Sequence, residues 1–80
     1  MRYAHANVEI NGAKLREIRK EAGLNIVQLS ARVGVSFSYL AAIERGERPT
    51  VAPARFITIC DALGLEDRTV LHASKAGAAA

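Results

Sequence analysis

Through most of this 80-residue chain apolar residues return every three or four positions. That is the period of helices sharing one core. In residues 11–23, NGAKLREIRKEAG, the marks of one face are Leu15, Ile18 and Ala22. Asn11 can cap this helix and Gly23 stands where helices commonly end. Lys14, Arg16, Arg19 and Lys20 cover the remainder, balanced by Glu17 and Glu21. Residues 25–34 form a second segment with Leu29 and Val33 one turn apart. Asn25 and Gln28 have capping-box spacing, and Gly34 ends the run. A third helix, 36–45, starts at the capping residue Ser36 and carries Leu40 and Ile43 as its stripe. Gly46 breaks it, and Pro49 forbids immediate continuation. The fourth, 53–64, opens with Pro53 at its first position, and Phe56, Ile59, Cys60 and Leu63 follow helical spacing. Residues 67–73 read as a short fifth helix with Val70 and Leu71 inward. The pattern predicts an all-α, five-helix domain over 11–73.

Residues 4–10, AHANVEI, alternate with the period of a strand. Nothing else in the chain reads as a strand to pair with them. They are expected to pair with a second copy of the chain, to form a loosely attached arm, or to fray. Residues 74–80, SKAGAAA, have no packing pattern and read as a mobile tail. The expected organisation is therefore an arm or strand over 1–10, one helical domain and a tail, without internal repeats.

Composition narrows the function. Half the residues are hydrophobic, which argues against disorder throughout, and the net charge is +3. Mild basicity fits a nucleic-acid partner and ordinary solubility equally. One cysteine, Cys60, permits no internal disulfide and fits a reducing cytosol. No run of about eighteen apolar residues is present, so no membrane span is expected. His5, His72 and Cys60 lack metal-ligand spacing, and no phosphate loop or nucleophile motif occurs. The expectation is a non-enzyme without cofactor or metal. Cys60, on an apolar stripe, reads as an inert buried thiol.

The second and third helices are joined only by the tight turn Gly34-Val35-Ser36. Leu29, Val33, Val35, Leu40 and Ile43 aim at one small core, and the small Ser30 faces the crossing. A helix-turn-helix needs that arrangement. The run LREIRKEAGLN, the turn VGVS and the segment YLAAIERG together resemble the Cro/repressor-type (XRE, lambda-repressor-like) helix-turn-helix family. The likeness spans residues 11–71. It implies a second helix lying across the phosphate backbone and a third entering the major groove, in dimers on palindromic operators. Mapped onto this chain, it implies base reading by Phe37, Ser38, Ala41 and Ala42. Backbone contacts would come from Asn25, Gln28, Arg32, Ser36, Tyr39, Arg45 and Arg48. It also implies a structural ion pair between Arg19 and Glu44. The partner expected is double-stranded DNA, bound by a homodimer in the cytoplasm of a bacterial or phage-infected cell.

Two positions depart from the family pattern. Many members carry Gln just after the cap of the second helix, where this chain has Ile26. Reading helices often display Gln, Asn, Arg or Lys, because such groups distinguish base pairs. Phe37, Ala41 and Ala42 offer only apolar contact, and Phe37 has the alternative of folding inward as a staple. An arm containing Arg2, Tyr3 and His5 could reach an adjacent groove. The functions consistent with the sequence are a Cro-like regulator, an antitoxin that binds operator DNA and a toxin, or a protein-interaction module without an operator.

Overall fold

The side chain of Asn11 accepts a hydrogen bond from the Lys14 N–H at 3.0 Å and starts α1, Gly12–Glu21. The computed structural model describes residues 7–73, and the expectations for an arm bearing Arg2, Tyr3 and His5 and for a 74–80 tail lie outside them. A complete capping box opens α2, Ile26–Val33: Asn25 accepts from the Gln28 N–H, and Gln28 accepts from the Asn25 N–H, both at 2.8 Å. Gly34 closes α2 with φ of 85°, a left-handed conformation that disfavours any residue with a Cβ. Ser36 then caps α3, Phe37–Glu44, by accepting from the Tyr39 N–H at 3.0 Å. Pro53 stands in the first turn of α4, Pro53–Ala62. Each boundary is thus fixed by local chemistry.

The chain turns by 111° between α2 and α3, within the usual range for a helix-turn-helix. Ser30 is buried at the crossing, and its hydroxyl donates to the Ile26 carbonyl at 2.7 Å. Its carbonyl accepts from both Gly34 and Val35 N–H groups, which ties the turn to α2. Leu15, Leu29, Leu40, Ile43, Ile59, Cys60 and Leu71 are the fully buried centre. Ile18, Val35 and Leu63 pack at its margin as half-buried residues. Burial pushes the Cys60 thiol pKa upward, away from the reactive thiolate.

Two expectations are corrected. The N-terminal strand has a partner in its own chain: β1, Val8–Glu9, pairs antiparallel with β2, Thr50–Val51, in the register Val8↔Val51. On the other side, Ile10 bridges to His72, Asn11 donates to the Leu71 carbonyl and Ala73 donates to the Glu9 carbonyl. The strand is held between two segments of its own chain, which removes the need for a second copy to satisfy it.

The expected fifth helix is instead a 3-10 turn, Arg68–Leu71. Four residues at three per turn cannot keep two successive side chains inward. Leu71 is buried, whereas Val70 is exposed. Among the described residues the architecture is four helices, a 3-10 turn and a two-stranded sheet. Asp67 caps the turn by accepting from the Thr69 N–H and hydroxyl, and these bonds hold its pKa below the ordinary carboxylate value. A lowered folded pKa means stability present above the unfolded value and lost as pH falls through the folded one. Asp67→Asn should therefore flatten the acid-side decline of the urea midpoint below about pH 4 relative to the parent.

Candidate nucleic-acid interface

α3 packs on both α1 and α2, and its orientation is set by what it gives to each. Leu40 and Ile43 enter the core. Glu44 reaches α1, where it accepts from Arg19 Nε at 2.7 Å and from Nη2 at 3.0 Å. Arg19 spends its remaining nitrogen, Nη1, on the Leu24 carbonyl at 2.9 Å. Both side chains are more than nine-tenths buried. The hydrogen bonds that Arg19 donates to Glu44 raise the Arg19 pKa above its ordinary value. The pair clamps the C-terminal turn of α3 to α1 in one rotation.

That rotation decides which side chains α3 presents. At about 100° per residue, Phe37, Ala41 and Glu44 lie along one strip, and Glu44 is held inward. Ala41 follows it and is only 8% exposed. Ala41 therefore lies on the groove side of α3, outside its outward strip, because the clamp turns that side of the helix toward α1. The outward strip is Ser38, Ala42 and Arg45, with Ser38 and Arg45 exposed and Ala42 half-buried. Phe37, at the open N-terminal end of the Ala41–Glu44 strip, is 53% exposed, so it does not fold inward as a staple.

The expected backbone residues fall into separate places. Asn25 and Gln28 have turned their side-chain oxygens to the capping box. The Ile26 and Val27 N–H groups above them lack intrahelical acceptors by position, as in any first turn. Ser36 likewise uses its hydroxyl as a cap and leaves the Phe37 and Ser38 N–H groups at the start of α3. Arg32 is exposed at the opposite end of α2, about 10 Å along the axis from Asn25. Arg45 is exposed but bound to Glu47 by two hydrogen bonds of 2.8 and 3.0 Å. That ion pair keeps the Glu47 pKa below its usual range.

Arg48 and Tyr39 do come together, with a third residue that sequence reasoning missed. The Arg48 guanidinium lies 4.8 Å from the Tyr39 ring centroid, and that of Arg55 lies 5.5 Å from it. The Glu47 and Arg48 N–H groups both donate to the Ala42 carbonyl, which holds the loop against α3. Arg55 is two positions beyond Pro53, in the first turn of α4. Its only signal in the sequence is a cation placed where helix N–H groups already favour anions. Two guanidinium groups stacked on one ring form a preorganised, positively charged patch.

A groove of about 250 Å3 lies on the other side of α3. Ile26, Phe37 and Ala41 supply apolar surface, and Arg16 and Arg45 stand at its rim. Arg16 was legible in the sequence only as one of several charges on the first helix. Among the described residues, no three His, Cys, Asp or Glu side chains converge as metal ligands, and no helix is long and apolar enough alone to cross a membrane.

Comparison with known proteins assigns the fold. A family model described as a helix-turn-helix domain matches residues 12–73. The chain belongs to the Cro/repressor-type helix-turn-helix family. Its structure is similar to the restriction-modification controller protein C.AhdI from Aeromonas hydrophila, with 34% identity and a TM-score of 0.68. That match covers 74% of this chain and 88% of C.AhdI. The clp gene regulator ClgR from C. glutamicum also shows 34% identity and a TM-score of 0.68, with 74% of each chain covered. SinR, a master regulator for biofilm formation solved in complex with DNA, is 27% identical at a TM-score of 0.68, covering 74% of this chain and 94% of SinR. No curated protein sequence matches the chain. The family and these neighbours support a DNA-binding transcription regulator.

Proposed function

We propose that this helix-turn-helix protein is a sequence-specific transcription regulator, binding a palindromic operator as a homodimer with α3 in the major groove. The observation that carries this reading is the placement of α3. Its outward strip, Ser38, Ala42 and Arg45, is flanked by the capped start of α2 and by the Arg48–Tyr39–Arg55 patch. Helix starts and stacked arginines suit phosphate oxygens on the two sides of a groove. The regulatory roles of C.AhdI and ClgR, and the DNA complex of SinR, support the same assignment. In this reading the protein works in the cytoplasm, where operator DNA is accessible. Operator occupancy alone can repress by excluding polymerase.

Selection of bound fragments from genomic DNA, followed by footprinting, tests the proposal. A two-fold motif should be recovered. On that motif, Arg48→Ala and Arg55→Ala should each reduce the slope of log K against log salt by about 0.9. Base preference should be unchanged by either, since phosphate contacts position without specifying. Ser38→Ala should instead change base preference. Absence of any enriched motif at about 50 mM salt would turn the assignment toward a protein partner.

The antitoxin and interaction-module alternatives draw on one observation: Val27 and Phe37 are 61% and 53% exposed. Both are first-turn residues, on α2 and α3. Apolar surface there suits a protein partner as well as DNA. A toxin that competes with operator DNA for the Phe37 face would support the antitoxin.

A further inference from the structure

The apolar groove beside α3 also bears on what the protein reads. Ile26 begins α2, Phe37 begins α3, and Ala41 lies one turn beyond Phe37. None of the three offers a hydrogen bond from its side chain. The acidic group in the groove, Glu44, is already occupied by two nitrogens of Arg19. What remains is an apolar surface with Arg16 and Arg45 at its rim. Phe37 belongs both to this groove and to the first turn of α3, so the groove opens beside the exposed Ser38–Ala42 strip.

An apolar mouth among cations fits an apolar group carried on a polyanion. In the major groove of DNA, A, G and unmodified C present only donors and acceptors there, whereas thymine adds a C5-methyl. 5-Methylcytosine carries the same group at the same carbon. We propose that the Ile26–Phe37–Ala41 groove mouth receives the C5-methyl of one pyrimidine in each half-site, with Arg16 and Arg45 facing the adjacent DNA. This rests on the DNA-binding assignment above and names the chemistry read. The outward strip of α3 offers no amide side chain to read an adenine. Specificity then comes from shape and methyl contact, with Ser38 as the hydroxyl contributor.

The test uses the intact chain and the DNA motif recovered by selection. Each thymine is replaced in turn by deoxyuridine, which removes only the methyl group. At one position per half-site the affinity should fall about four-fold, the effect of one buried methyl-sized group. Cytosine and 5-methylcytosine placed at that position, each opposite guanine, separate the two sources of the methyl: 5-methylcytosine should bind more tightly than cytosine by a similar factor. Phe37→Ser should erase the difference between thymine and deoxyuridine at that position and at no other. Ile26→Gln should weaken the same difference. Phe37 is exposed, so its replacement leaves the core intact.

Tight, sequence-specific binding that is indifferent to every deoxyuridine substitution overturns the methyl proposal and leaves the DNA-binding assignment standing. Operator affinity unchanged by Phe37→Ser also overturns it, and returns the groove to a protein partner. Failure to bind any DNA removes both.

Discussion

Glu44→Ala should destabilise the protein by about 3–5 kcal/mol, measured as a lower urea midpoint at neutral pH. Arg19 and Glu44 are each more than nine-tenths buried, and together they make the two bonds of 2.7 and 3.0 Å. With Glu44 gone, Arg19 keeps only the Leu24 carbonyl and remains a buried charge without its counter-ion. It cannot neutralise itself, since a guanidinium stays protonated at any ordinary pH. For a domain whose total stability is about 5–15 kcal/mol, that loss is a large fraction. The double variant Arg19→Met with Glu44→Leu should recover most of the loss, because desolvating both ions offsets much of their attraction. If Glu44→Ala and the double variant are equally destabilised, the loss belongs to packing of α3 rather than to the charge. Burial also predicts little salt dependence for this pair, in contrast to the exposed Arg45–Glu47 pair, with side chains 58% and 61% exposed.

The helix boundaries were legible because each is written within four residues. Asn11, the Asn25–Gln28 box, Gly34, Ser36 and Pro53 act on their own backbone or the next turn. The sheet was not legible, because Thr50–Val51 is two residues long and its partner lies some forty positions earlier in the chain. No periodicity can be read from two residues. The 3-10 turn was mistaken for a helix because Val70 and Leu71 are both apolar. The bonds of Asp67 to Thr69, the Ile10–His72 bridge and the Asn11 N–H to the Leu71 carbonyl hold it in that form.

The outward face of α3 was half legible for a different reason. α3 is FSYLAAIE, apolar on nearly every side. Its inner edge cannot be told from the stripe alone. Which way Ala41 faces follows from Glu44 being held by Arg19, twenty-five residues away in sequence. Arg55 joins Arg48 only through the ring of Tyr39. The candidate site is therefore assembled by side-chain contacts between residues nine to twenty-five positions apart, on a frame built from local signals.

Gly12→Ala should have the second large effect, and its sign is opposite to that expected from helix propensity. Alanine in place of glycine within a helix ordinarily gains about 1 kcal/mol. At Gly12, however, a Cβ would overlap the Ile43 carbonyl oxygen and stand 2.9 Å from its carbonyl carbon, with Glu44 Cα at 3.1 Å. All three are backbone atoms of α3, so no side chain can rotate away. Relief needs α1 and α3 to separate, and α1 also carries Arg19. The separation would stretch the Arg19–Glu44 clamp and loosen the rotation that turns Ala41 inward and Ser38 outward. A net loss of about 1–3 kcal/mol is expected from overpacking. It should appear as a lower urea midpoint together with weaker operator binding. Ala13→Gly, one residue on and exposed, should lower stability by about 0.5–1 kcal/mol through propensity alone and leave base preference intact. A Gly12→Ala protein more stable than the parent would mean that α1 and α3 do not approach this closely in solution. The position of α3, on which both the outward strip and the groove depend, would then have to be set by the turn at Gly34 instead.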